Sequence, residues 1–369
     1  MAAGLIGGAC ALHSSAPIPP REEPKERLAV IQRARVWQPA DVKSRDLRAG
    51  PQGAGAFAPL TTVRCDYVEK KLEGGTPKFT CAVKPGDEVK VKYGLENGEV
   101  YAEVAASRLL WALGFPADAE YPVKVICRGC PADPWKHTPP LAEATFEYAT
   151  IERKYPAHEI EVEGAGWSWP ELDLVSPETG GASRAERDAL KLAAVLMQHS
   201  DTKPQQQRLV CMDREVTEGK SKVAEEKSKG TEEKSEAAAA CAQPLMMIND
   251  LGNTFGRANN FNTNAKGSTN FDAWHKVPVW RDPAHFVGEL SKSVTGTLEH
   301  PVISEAGRKF LADLLVQLSD DQLKDLFAVS RAEERPVESK GALRTATVDA
   351  WVGAFKEKRR QIVERTCPQ

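Results

Sequence analysis

The stretch His199-Ser-Asp-Thr-Lys-Pro-Gln-Gln206 follows an amphipathic segment and places a carboxylate and an ammonium group two residues apart. In the preceding segment, residues 184–198, apolar side chains recur at helical spacing. The capping box Ser183-Arg-Ala-Glu186 predicts the start of this helix, because its Ser and Glu side chains satisfy free backbone N–H groups there. Asp201 is therefore expected on a loop directly after a helix.

Two short apolar runs come after this loop, with a charged segment between them. Residues 209–212 and 245–248 predict strands, and the second is followed by Asp250-Leu-Gly252. The charged segment is dense in Lys and Glu and cannot bury enough apolar surface to offset its ordering entropy. We therefore predict that residues 214–242 form a disordered, charged insertion.

The preceding part of the chain has the pattern of a small α+β domain. Residues 79–83 and 89–93 predict a hairpin, because Pro85-Gly86 between them is a turn signal. Residues 99–113 have helical periodicity, and Gly114 is a C-terminal cap. Two further strands are predicted, at 121–127 and 144–151. Strands with one helix among them predict an α+β fold, and more helices follow toward the C-terminus.

Composition excludes several classes of protein. The chain has 369 residues, of which 41% are apolar and 27% are charged, and its formal net charge is −3. This balance argues against a partner made of nucleic acid, since such binding depends on a basic excess. No stretch approaches 18 uninterrupted apolar residues, so no transmembrane segment is predicted.

The N-terminal residues 1–56 are rich in Pro, Gly and Ala, and we predict a tail without a core of its own. Ala9-Cys10-Ala11 fits the small-x-small pattern of a signal-peptide cleavage site, and Cys10 loosely resembles a lipoprotein acceptor. No Lys or Arg precedes the apolar part. Export to the periplasm or outside the cell is slightly favoured over the cytoplasm, and both remain open.

Three motifs together resemble the protein-kinase-like fold. His199, Asp201, Lys203 and Pro204 match four positions of the H-R-D-L-K-P-E-N loop, and Asp250-Leu-Gly252 resembles D-F-G. Val89-Lys-Val-Lys92 resembles the V-A-I-K strand. Gly74-Gly-Thr-Pro-Lys78 is closer to the short Gly-rich loop of HipA-type and phosphatidylinositol-kinase-like kinases.

The resemblance implies a two-lobed α+β fold with ATP and Mg²⁺ bound between the lobes. Residues 57–169 would form a small, β-rich, nucleotide-binding N-lobe, and residues 170–369 a mostly helical C-lobe. The implied activity is transfer of the γ-phosphoryl group to a hydroxyl of a protein, lipid or small molecule. The family separates its two Asp residues by a short hairpin. Here Asp201 and Asp250 are 49 residues apart, and 20 remain without the 29-residue insertion.

The resemblance also assigns residues to the cofactor. Lys92 would hold the phosphates and Glu103 would orient it. Lys90, which points the same way along the strand, is the alternative to Lys92, and Glu99 is the alternative to Glu103. Gly74, Gly75 and Lys78 would cover the phosphates.

Catalysis and metal binding would fall to the two later motifs. Asp201 would accept or orient the acceptor's proton, and Lys203 would neutralise the transferred group. Asp250 and Gln206 would be metal ligands. The family has Asn where this chain has Gln206, whose longer arm needs a shifted backbone. A catalytically impaired pseudokinase that acts as a secreted or envelope binding protein is therefore the alternative.

Other candidates are independent of this resemblance. Cys127-Arg-Gly-Cys130, with Cys65 and Cys81, predicts a zinc site, two disulfides or free thiols. Trp167 and Trp169 predict either packing or a carbohydrate-binding platform. The Asn-rich residues 259–271 are expected to form an activation segment or a substrate loop.

Overall fold

A computed structural model of the chain contains both helices and strands, which confirms the α+β class. It describes residues 25–160, 165–212, 241–256, 271–334, 337–339, 342–344 and 346–365. The helices are α1 (Lys25–Gln32), α2 (Gly98–Leu113), α3 (Arg184–Met197), α4 (Phe271–Lys276), α5 (Glu305–Leu315), α6 (Asp320–Val329) and α7 (Val348–Val363). The strands are β1 (Thr62–Val68), β2 (Lys78–Lys84), β3 (Asp87–Tyr93), β4 (Ala119–Arg128), β5 (Glu143–Arg153), β6 (His158–Glu159), β7 (Gln207–Cys211), β8 (Pro244–Ile248), β9 (Trp280–Asp282), β10 (Val287–Gly288), β11 (Val337–Ser339) and β12 (Ala342–Arg344).

Strands β1 to β5 form a closed barrel in the order β1-β2-β3-β5-β4. Neighbouring strands are antiparallel except β1 and β4, whose parallel pairing closes the barrel. Side chains that alternate along each strand fill the interior, among them Phe79, Val91 and Ile151. The predicted hairpin is confirmed as β2 and β3, and the predicted later strands as β4 and β5.

Helix α2 lies between the barrel and the rest of the molecule. The Asn97 side chain accepts a hydrogen bond from the Glu99 backbone N–H and caps the start of the helix. Gly114 ends it with φ of +84°, a left-handed conformation that glycine adopts without strain. Nearly every residue of α2 is buried, so the helix fixes the position of the barrel against the helices that follow.

The described residues from Arg184 to Arg365 form the helical region. Its core is rich in aromatic rings: the ring centroids of Trp274 and Trp351 are 5.4 Å apart, and those of Phe327 and Trp351 are 5.5 Å apart. The capping box at the start of α3 is confirmed, and a second capping box, which begins at Ser319, starts α6. The Trp274 indole N–H donates to Leu196 O at 2.8 Å, so this core contacts the end of α3.

Residues 25–47 correct the prediction of an N-terminal tail up to residue 56. Val30, Ile31 and Val36 have no exposed surface and belong to the same core as α2 and α3. The Arg35 backbone N–H donates to Pro244 O, and Met246 N–H donates to Arg35 O, so this segment extends the edge of β8. The apolar residues of this segment are scattered among charged ones, so the sequence pattern did not predict that it packs into the core. The division into domains at residues 57–169 and 170–369 stays a prediction.

The two apolar runs predicted as strands are confirmed as the antiparallel pair β7 and β8. A disulfide between Cys211 and Cys241 joins them at the base of the predicted insertion. Of the insertion itself, residues 214–240 lie outside the described residues. The same is true of residues 259–270 of the predicted activation segment.

Two further disulfides lie in the barrel region. Cys65–Cys81 joins β1 to β2, and Cys127–Cys130 joins the end of β4 to the turn that follows it. Their Cα atoms lie 5.7 Å and 5.6 Å apart, within the usual range for bridged cysteines. The alternatives of a zinc site and of free thiols are therefore wrong, because a thiol that is bridged cannot serve as a thiolate ligand.

The interpretation of two tryptophans as a carbohydrate platform is also wrong. Trp167 and Trp169 are 0% and 1% exposed, and a sugar-binding ring needs an open face. The Trp167 indole N–H donates to Arg208 O at 3.1 Å, so this ring fastens the chain onto β7. Both rings serve packing.

Candidate functional site

Lys92 lies at the centre of a buried cluster of carboxylates. It stands on β3 and is only 2% exposed. Its Nζ atom contacts Glu103 Oε1, lies 3.1 Å from Glu99 Oε2 and lies 3.8 Å from Asp250 Oδ2. Burial would lower the pKa of Lys92, but Asp250, Glu103 and Glu99 raise it well above the usual value. The ammonium group is therefore held charged.

Two of these carboxylates come from one face of α2. Glu99 and Glu103 are four residues apart, which places them one helical turn apart on the same face. The sequence offered them as alternatives, and the structure brings both to Lys92. Burial raises the pKa of Glu103 well above its usual value, and Lys92 opposes this.

Lys90 points to the same side of β3 as Lys92 but has a different partner. Its Nζ contacts Glu152 on β5. Burial would lower the pKa of Lys90, but Glu152 raises it. Of the two lysines that the sequence could not separate, Lys92 is the one in contact with the carboxylates of α2.

The predicted Gly-rich loop lies over this cluster. Thr76 Oγ1 donates to Glu99 Oε1 at 2.5 Å, which ties the loop of Gly74 and Gly75 to helix α2. Lys78 begins β2 directly opposite Lys92 in the strand register. Burial, with the charges of Lys92 and Lys90, lowers the pKa of Lys78. The loop thus adds a second cationic side chain beside the cluster.

Asp250 follows β8 and faces the same cluster. Its Oδ1 accepts a hydrogen bond from the Gly252 backbone N–H at 3.1 Å. Burial would raise its pKa, but Lys92 and Lys90 hold the pKa of Asp250 well below its usual range. A Cβ atom at Gly252 would lie 2.7 Å from the Glu99 Cδ, so a larger residue there would require the Glu99 carboxylate to move.

Asp201 lies on the loop after α3 with both carboxylate oxygens engaged. Its Oδ2 accepts hydrogen bonds from Lys203 Nζ at 2.8 Å and from Gln206 Nε2 at 2.9 Å. Its Oδ1 accepts one from Ser293 Oγ at 3.3 Å. The short 3₁₀ turn Pro204–Gln206 folds the chain back so that Gln206 can reach Asp201.

Backbone hydrogen bonds join the loop of Asp201 to the loop of Asp250. Asn249 N–H donates to Gln206 O at 2.9 Å, and Ser200 N–H donates to Asn253 O at 3.2 Å. His199 is fully buried beside both. Burial lowers its pKa to about 4, while Asp201 and Asp250 act to raise it. The two aspartates therefore belong to one site.

Among the described residues, three carboxylates are arranged so that they can hold a metal ion. Glu99, Glu103 and Asp250 each offer an oxygen, and these oxygens lie within 4.8 Å of one another. Oxygen ligands of this kind suit Mg²⁺, and the Glu103 Oε2 atom is buried without a hydrogen-bond partner. Gln206 was predicted as a metal ligand. Its amide is instead turned toward Asp201, and its role at a metal stays a prediction.

Two residues of this site were not predicted. Thr76 lies inside the predicted Gly-rich loop, so its position was marked although its bond to Glu99 was not. Ser293 lies 92 residues after Asp201, and no local pattern in the sequence links the two.

Comparisons with known proteins give little guidance. No family model matches the chain, and no curated protein matches it. Among solved structures, the chain is similar to the proinflammatory kinase CtkA of Helicobacter pylori, with a TM-score of 0.42 and 10% sequence identity. The match covers 83% of this chain and 96% of that one. A similarity of this size is too low to assign a fold or an activity.

Proposed function

We propose that the chain is an atypical kinase that transfers the γ-phosphoryl group of ATP to a hydroxyl. The observation that carries this proposal is the convergence of Lys92, Asp250 and Asp201 on one site from three distant parts of the sequence. A polyphosphate needs fixed cations and a metal-binding carboxylate, together with a separate carboxylate for the acceptor. In this proposal the barrel with α2 is the N-lobe of a kinase-like fold, and the helical region is its C-lobe.

Each residue of the site then has a chemical role. Lys92, held charged by its carboxylates, would bind the α- and β-phosphates, and Lys78 with Gly74 and Gly75 would cover them from the loop. Asp201 would accept the proton of the attacking hydroxyl. Lys203, whose ammonium group bonds to Asp201, would offset the charge of the transferred group.

Magnesium would be held by Asp250 and by Glu99 or Glu103, whose oxygens are the ones close enough together. When bound, the ion would supply positive charge to the phosphate oxygens. The acceptor hydroxyl would belong to a protein, with a lipid or small molecule as alternatives.

A thermal-shift and transfer experiment tests this function. We expect Mg²⁺-ATP to raise the melting temperature of the wild-type protein and of Asp201→Ala, and the shift to fall sharply in Asp250→Ala. Transfer of labelled phosphate should drop at least about 100-fold in both variants, since each loses a group needed in the transition state. Asp313→Ala, at an exposed ion pair on α5, is the matched control and should behave as wild type. Absence of any Mg²⁺-ATP shift in the wild type would refute the proposal.

The alternative, nucleotide binding without transfer, depends on Gln206. Its amide bonds to Asp201 rather than facing the carboxylates around Asp250. If the wild-type chain binds Mg²⁺-ATP without turnover, we expect Gln206→Asn to restore phosphoryl transfer. That gain would show that the longer Gln206 side chain prevents transfer in the wild type. A wild type that already transfers phosphate would exclude the pseudokinase.

Three disulfides among the described residues support the expected export, because such bonds persist in oxidising compartments. Within the described ranges, no helix is long and apolar enough to cross a membrane.

A further inference from the structure

The segment from Ser291 to Thr297 is fastened to the loop of Asp201 at two points. Ser293 N–H donates to Ser200 O at 2.8 Å. The Thr297 hydroxyl donates to Thr202 O at 2.8 Å, and its backbone N–H donates to the Thr202 hydroxyl at 3.0 Å. The segment therefore keeps a fixed position beside Asp201, although it lies about 90 residues further along the chain.

Within this segment, the Ser293 side chain contacts the carboxylate that the proposed function assigns as the general base. Its Oγ donates to Asp201 Oδ1 at 3.3 Å, while Lys203 and Gln206 occupy the other carboxylate oxygen. A general base must lie within hydrogen-bond reach of the hydroxyl proton that it removes, and contacts of this kind are often long before the reactants are bound. Ser293 already meets this requirement.

The neighbours of Ser293 are open to solvent. Val294 is 97% exposed, and Ser291 and Lys292 are also exposed. A segment with a fixed backbone, a hydroxyl directed at a carboxylate and exposed flanking side chains resembles a bound acceptor peptide more than a buried structural turn.

We propose that Ser293 is a site of intramolecular phosphorylation, an inference that rests on the proposed kinase function. Asp201 takes the proton from Ser293 Oγ as this oxygen forms a bond to the γ-phosphorus of ATP. The bond from the γ-phosphorus to the bridging oxygen of the β-phosphate breaks, and ADP leaves with the electron pair. The product is phosphoserine at position 293.

The test uses the full chain incubated with Mg²⁺-ATP, followed by peptide mass spectrometry. We expect phosphate on Ser293, formed at a rate that does not change over a tenfold range of protein concentration. Ser293→Ala should lose the phosphate on that peptide. Ser291→Ala, two residues away in the same exposed segment and without a contact to Asp201 among the described hydrogen bonds, is the matched control and should keep it.

A mixing experiment separates transfer within one chain from transfer between chains. Wild-type protein is mixed with a mass-tagged Asp201→Ala chain, and the tagged chain should carry at least tenfold less phosphate on Ser293. Equal labelling of the tagged chain would overturn the intramolecular step. Phosphate on other residues or on an added protein acceptor, with none on Ser293, would overturn this inference and leave the proposed function intact. Failure to transfer phosphate to any acceptor would overturn both.

Discussion

Lys92 and Lys358 are the most deeply buried lysines among the described residues, one in each region of the molecule, and their surroundings differ sharply. Lys92 beside the barrel contacts Glu103 and Glu99 and lies near Asp250. Lys358 on α7 in the helical region donates to the Val277 carbonyl, and its Nζ lies 5.2 Å from the centre of the Trp274 ring. Both side chains are 2% exposed.

The difference appears in the pKa of each group. Carboxylates raise the pKa of Lys92 well above its usual value against the effect of burial. Burial lowers the pKa of Lys358 to about 8, with only a weak opposing effect from Glu357. Burial of a lysine therefore does not mark a functional site. What sets Lys92 apart is the convergence of several carboxylates, which maintain its charge where charge is costly to keep.

Replacing each lysine by Met should give the largest contrast. Lys92→Met leaves three carboxylates without their shared cation, and we expect it to lower the free energy of unfolding by about 3–5 kcal/mol at neutral pH. Lys358→Met leaves one carbonyl oxygen without a donor and should cost about 1 kcal/mol. Urea denaturation of both variants measures the difference.

Lys92→Met combined with Glu103→Gln controls for simple loss of packing. Removing one of the uncompensated carboxylates should recover part of the lost stability. Equal losses in Lys92→Met and Lys358→Met would show that the carboxylates do not set the two sites apart.

The disulfides give the second contrast, within the barrel itself. Cys65–Cys81 closes a separation of 16 residues, whereas Cys127–Cys130 closes only 3. A longer loop loses more chain entropy when bridged, so replacing Cys65 and Cys81 by Ala should lower the free energy of unfolding by about 3 kcal/mol. The same replacement at Cys127 and Cys130 should lower it less. Thermal melts of both double variants under non-reducing conditions test this order, and the reverse order would contradict it.

The smallest expected effect is a difference in pH dependence between the two regions. Burial, with the nearby charge of Glu152, raises the pKa of Glu120 on β4 from 4.5 to about 8. The folded chain therefore binds more protons than the unfolded chain between these values, and stability falls as pH rises from 4.5 to 8. For Lys358 the folded pKa lies below the unfolded value of 10.5, so stability rises with pH from 8 to 10.5.

A single substitution should reduce the pH dependence of stability in one of these two pH ranges. Glu120→Gln should reduce the change in the free energy of unfolding between pH 4.5 and 8, and Lys358→Met should reduce the change between pH 8 and 10.5. Chemical denaturation at a series of pH values measures both. If Glu120→Gln altered only the alkaline window, the assignment of these groups would be wrong.

Local signals in the sequence predicted much of this architecture. The Pro85-Gly86 turn, the capping box at Ser183 and the cap at Gly114 each depend on a few adjacent residues, and all are confirmed. The resemblance also named Glu103, with Glu99 as the alternative, as the partner of Lys92, and the structure brings both to it.

What the sequence did not show depends on contacts between distant segments. The choice between Lys90 and Lys92 required the position of β5, because Glu152 on that strand contacts Lys90. The packing of residues 25–47 required the exposed edge of β8. The approach of Ser293 to Asp201 is fixed by hydrogen bonds from Ser293 to Ser200 and from Thr297 to Thr202. No sequence pattern near Ser293 predicts these bonds.

The bridge between Cys211 and Cys241 has a practical consequence for handling the molecule. It connects the chain on either side of residues 212–240. A protease that cuts anywhere in that interval leaves both fragments covalently joined, so cleavage changes the apparent size only after a reducing agent is added. A nicked preparation would therefore pass as intact on a non-reducing gel.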